Sequence, residues 1–163
     1  MNNTTKNNLN DFTIEEARGW IIESFNQIDW RLNNIIVDFF KPSEKNKFES
    51  VVLNTSIIDI GGKLKIIRNL EKIDIKILEK IRKLSAIRNG FAHAPTNTQI
   101  NLKVEFDLKK IKPTLNVTST ETMIQVMNSN GEIKSKKALD YLREFRDLYY
   151  EIKEELDKIL DNE

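Results

Sequence analysis

Residues 13–40 read TIEEARGWIIESFNQIDWRLNNIIVDFF, and this stretch decides the fold class. It opens on Thr13-Ile14-Glu15-Glu16, a capping-box pattern in which Thr13 caps the helix and Glu16 reaches back to it. Ile14, Ala17, Ile21, Phe25, Ile28, Leu32, Ile35, Ile36 and Phe39 then recur at three-four spacing, one apolar stripe of an amphipathic helix. Lys41-Pro42 ends it, because the residue ahead of a proline is pushed out of the helical region. About 26 residues at 1.5 Å each make a rod of about 39 Å, which needs helical partners along its whole length. A matching helix is expected over residues 136–160, where Leu139, Leu142, Phe145, Leu148, Ile152, Leu156 and Ile159 keep the same spacing. The two long helices are expected to pack antiparallel.

Shorter helices fill the space between them. Residues 44–53 present Phe48, Val51 and Val52, and a further helix capped by Ser56 or Asp59 runs to about Leu70 with Ile60, Leu64 and Ile67 on one side. Gly61-Gly62 near its start marks a turn or a close backbone approach, and alone is no phosphate loop. Asp74 is placed to cap a fourth helix carrying Ile77, Leu78, Ile81, Leu84 and Ile87, with a left-handed stop expected at Asn89-Gly90. The period then changes to two. Ile100, Leu102, Val104 and Phe106 alternate with polar residues, and residues 123–127 read as a second strand. Residues 109–120 are too long for a tight turn and leave room for a short strand around 115–117. The expectation is a mainly α, up-and-down bundle of four to five helices with a small β-hairpin insert at about 99–128. Residues 11–163 are expected to form one domain behind a disordered tail at 1–10, a stretch that resembles neither a signal peptide nor a membrane anchor.

Composition narrows the chemistry. The 163 residues hold 26 basic and 25 acidic side chains, a balance that argues against a general polyanion binder. Without cysteine there is no disulfide scaffold, zinc finger or thiol catalysis, and one histidine rules out every site that needs two from the same chain. No apolar run is long enough for a membrane span, so a cytoplasmic protein without cofactor or metal is expected.

One segment departs from ordinary packing: Ile87-Arg88-Asn89-Gly90-Phe91-Ala92-His93-Ala94-Pro95. Metal-free cleavage of RNA needs a group that moves a proton at the 2′- or 5′-oxygen, and histidine suits either role near neutrality. It needs a fixed cation facing the charge on the phosphorane, which the arginine fork supplies, and asparagine can orient the histidine or donate to phosphate. One copy provides a single histidine, so acid and base on opposite sides of the phosphate call for two subunits. A histidine near a helix end is also a common structural cap.

Arg88-Asn89-Gly90-Phe91-Ala92-His93 resembles the arginine, four-to-six residues, histidine motif of the HEPN superfamily, helical proteins that include toxin-type and CRISPR-associated ribonucleases. Gly62-Lys63-Leu64-Lys65-Ile66-Ile67 followed by residues 78–87 resembles the mannitol-repressor-like branch of that group, and the similarity covers about residues 48–95. The resemblance implies Arg88 and His93 as a catalytic pair with Asn89 beside them, two motifs meeting in a homodimer, and no metal or other cofactor. It implies a metal-independent endoribonuclease, a toxin or phage-defence component with a cognate antitoxin. The mannitol-repressor-like branch implies instead a non-catalytic regulatory or protein-interaction module. Lys63, Lys65, Arg68 and Lys83 lie near the motif in sequence and are the candidate RNA contacts, though such lysine runs are commonly solvated helix faces.

Overall fold

A computed structural model describes residues 13–93, 97–105, 114–127 and 130–161. The tail expected at 1–10, together with Pro95 and Phe106, lies outside the described residues. The chain forms α1 (Ile14–Phe40), α2 (Lys45–Lys47) continuing into a π-helical turn (Phe48–Val52), α3 (Ile60–Leu70), α4 (Ile75–His93), β1 (Asn97–Glu105), β2 (Thr114–Met127), β3 (Ile133–Lys137) and α5 (Ala138–Asp161). It is a mainly α bundle with a small antiparallel β element.

The caps follow the local chemistry. Thr13 and Glu16 close the capping box on α1. At its other end Lys41 turns left-handed (φ 46°) and donates its N–H to Val37. Asp59, not Ser56, caps α3 by accepting the Gly62 N–H at 2.7 Å. Asp74 does the same for α4 through the Lys76 N–H at 2.7 Å. Because Asp59 occupies the α3 terminus, Gly61-Gly62 leaves no open cradle there.

The apolar stripe of α1 is buried against α3, α4 and α5, with Ile21, Ile28, Leu32, Ile35 and Ile36 fully enclosed beside Leu84, Phe91, Phe145 and Ile152. The two long helices run parallel, contrary to the antiparallel expectation. Trp20 meets Phe145 edge-on, the Tyr149 hydroxyl donates to Gln27 at 2.7 Å, and Arg31 pairs with Asp157 at 2.6 Å. Contacts thus climb both helices in the same direction. The reason is topological: α4 runs opposite to α5, Lys80 facing Glu151 and Lys83 facing Glu144, and the segment between α1 and α3 carries the chain back.

The β element is larger than expected. Residues 114–127 form one long strand rather than two short ones, paired antiparallel with β1 from Asn97↔Met123 to Glu105↔Thr114. A third strand, β3, pairs with β2 from Met127↔Ile133 to Met123↔Lys137, giving the order β1-β2-β3. Residues 136–137, expected at the start of the last helix, belong to that strand. Ile124 and Val126 sew β2 onto the bundle against α4 and α5.

Candidate functional site

Arg88, Asn89 and His93 sit in the last turns of α4, inside the helix and not beyond it. The left-handed stop expected at Asn89-Gly90 does not occur, since among the described glycines Gly131 alone takes a positive φ. Gly90 serves another purpose. A Cβ there would lie 2.5 Å from Val126 Cγ2 and 3.1 Å from the Gln125 carbonyl oxygen, so its bare Cα lets α4 touch the backbone of β2. Phe91 is fully buried beside it, packing rather than base-stacking.

This close contact sets the height at which the three polar residues emerge. At 3.6 residues per turn Asn89 and His93 share one stripe of the helix, and Arg88 points about 140° round from His93. Asn89 and His93 are exposed and line an opening of about 500 Å³ with Ala86, Gly90, Gln125, Met127 and Ile133. The imidazole of His93 makes no hydrogen bond to any described residue. Arg88 is half-buried on the adjacent face, its guanidinium 5.6 Å from the centre of the Phe25 ring. Its Nη1 donates to Asn89 Oδ1 at 2.9 Å, which turns the Asn89 amide nitrogen outward. Its Nε is buried without a partner among the described residues. The geometry therefore places Asn89 and His93 on one opening and ties Arg88 to Asn89 through the amide.

The candidate RNA contacts fare unequally. Lys63 is a correction: its side chain is fully buried, and its ammonium lies 2.7 and 2.8 Å from the two oxygens of Asp29. An apolar stem threaded through the core with a paired head explains this placement, which takes the charge away from any surface ligand. Lys65 and Arg68 are exposed on α3 and do not line the opening. Lys83 lines an adjoining opening of about 560 Å³ between α4, β3 and α5, where Glu144 binds both it and Lys136. Burial pulls the Glu144 carboxyl upward, but the Lys83 and Lys136 ammonium groups outweigh it and hold the carboxyl below its ordinary range. Lys134 and Lys136 of β3 and Gln125 of β2 went unrecognised from sequence. The alternation of Lys134 and Lys136 through residues 132–137 is a period-two signal that would have shown the first two on a strand.

Among the described residues no group of three His, Cys, Asp or Glu side chains could hold a metal ion. No helix among the described residues is long and apolar enough to cross a membrane. No protein-family model matches the chain, and no curated protein or solved structure is significantly similar to it.

Proposed function

We propose that the protein is a HEPN-type endoribonuclease that acts as a homodimer without a metal, in the cytoplasm, as a toxin or phage-defence component. The observation that carries this reading is the exposed Asn89–His93 pair at a groove mouth, with a partly unsatisfied arginine bonded to the same asparagine. In the proposed reaction the 2′-oxygen of a ribose attacks the neighbouring phosphorus and the 5′-oxygen leaves, producing a 2′,3′-cyclic phosphate and a free 5′-hydroxyl. His93 of one protomer takes the 2′-hydroxyl proton, and the partner's His93 gives one to the departing 5′-oxygen. In this reading Arg88 turns its guanidinium toward the phosphorane oxygens. Asn89 donates its outward amide to phosphate.

Incubating the purified dimer with RNA in EDTA tests this. Cleavage that persists in the chelator and disappears in both His93→Ala and Arg88→Ala is expected. A folded dimer that leaves varied RNA intact would overturn it. That outcome would leave the non-catalytic, mannitol-repressor-like reading, to which the half-burial of Arg88 against Phe25 points.

A further inference from the structure

The stripe of α4 that carries Asn89 and His93 continues toward the helix start through Ala86 to Arg82 and Lys83, at three-four spacing. Ala86 lines both openings, so the two adjoin at that residue. The far wall is β3, with Ile133 at the His93 end and Lys134 and Lys136 at the other. In the second opening the cations Arg82, Lys83, Lys134 and Lys136 face the carboxylates Glu79 and Glu144, a local excess of two positive charges in a chain whose net charge is +1.

These cations are not equivalent. Lys83 and Lys136 are committed to Glu144. Arg82 is exposed and has no ion-pair partner among the described residues. Lys134 meets only Glu132, at 3.4 Å and with both side chains more than half exposed, a pair that holds it weakly. The two cations least committed among the described residues thus stand on opposite walls, one on the helix and one on the strand. Eleven residues of helix separate Arg82 from His93, about 16 Å.

We propose that single-stranded RNA lies along α4, with its scissile phosphate at Asn89 and His93 and a flanking phosphate held between Arg82 and Lys134. This deepens the ribonuclease reading and rests on it. It gives the β element a role, as the outer wall of the track. Openings of about 560 and 500 Å³ match a small-ligand pocket, and so a nucleotide and not a duplex. Recognition through phosphates carries no sequence information, so tolerance of sequence at the flanking position follows. An acidic polypeptide would satisfy the same charges. RNA is favoured because the opening that holds these cations adjoins, at Ala86, the opening lined by Asn89 and His93.

The test measures binding of a short fluorescent oligouridine by anisotropy, in the His93→Ala background so that the probe stays intact. Arg82→Glu and Lys134→Glu are each expected to weaken binding about tenfold or more and to flatten its salt dependence, while Lys65→Glu on α3 changes neither. Thermal melts matching the parent, together with the milder Arg82→Gln, separate this from misfolding. If both reversals bind like the parent, and cleave like wild type once His93 is restored, the track is wrong while the nuclease stands. If wild type neither binds nor cleaves RNA, both readings fall. Capture of poly-glutamate but not RNA through Arg82 also overturns the proposal.

Discussion

Two arginines of the same bundle are treated in opposite ways. Arg31 on α1 is buried, and its Nε and Nη1 are satisfied by the Asp157 carboxylate at 2.6 Å and the Gln27 carbonyl at 2.9 Å. Arg88 on α4 is half-buried over Phe25, with one donor on the Asn89 amide oxygen and a buried Nε left without a partner among the described residues. A buried unsatisfied donor costs about 1–3 kcal/mol, so Arg88 contributes less to stability than Arg31 does. Arg31 rivets two parallel helices. Arg88 is held over Phe25 and tied to Asn89, on the face of α4 next to the one that carries the exposed His93.

The sharpest way to break this contrast is to exchange the two losses. Arg88→Lys is expected to lower RNA cleavage about 10²–10⁴-fold in a gel assay with little change in melting temperature, because lysine cannot reproduce the planar fork. Arg31→Lys is expected to lower the melting temperature and leave cleavage per folded molecule unchanged. Equal effects on both readouts from both variants would erase the distinction.

The buried Lys63–Asp29 pair extends the comparison to a cation committed entirely to structure. Asp29→Ala leaves an ammonium enclosed without its counter-charge, and urea denaturation should show a loss of about 3–5 kcal/mol. Lys63→Met should cost less, since Asp29 keeps some contact with water.

Gly90 links the architecture to the site. Gly90→Ala should destabilise by about 1–3 kcal/mol through its clash with Val126. Combining it with Val126→Ala should cost less than the sum of the single variants, a coupling that a double-mutant cycle would measure. Additive losses would mean that the close approach is not what requires glycine.

The smallest expected effect is on acid stability. The hydrogen bond from Arg31, reinforced by Lys153 against a modest opposing burial, holds the Asp157 carboxyl below the ordinary aspartate range. A depressed folded pKa contributes stability that is present above the unfolded value of about 4 and is lost as pH falls through the folded one. Asp157→Asn should therefore flatten the fall in stability below about pH 4.

How far residues can be read without neighbours is clear at particular places. Thr13, Glu16 and Asp74 declare their helix ends because capping is a matter of a few adjacent atoms. Asn89-Gly90 carries the local signature of a stop, yet the helix continues because β2 packs on that glycine. Lys63 reads as a solvated lysine at its position in sequence, and Asp29, 34 residues away, makes it a buried one. The strand at residues 133–137 reads IKSKK and is exposed at every position, so only the polar alternation of Lys134 and Lys136 hints at it, and pairing with β2 defines it.

The order of residues alone therefore determined the helical character, the caps, the long apolar stripes and the one cluster able to do proton chemistry. All of these depend on neighbours within a turn or two of backbone. Tertiary packing decided that α1 and α5 run parallel, that Lys63 is hidden, and that the β element stands beside Asn89 and His93, with Lys134 and Lys136 on the adjoining opening. Those outcomes depend on which surfaces meet across the bundle, and no local spacing encodes them.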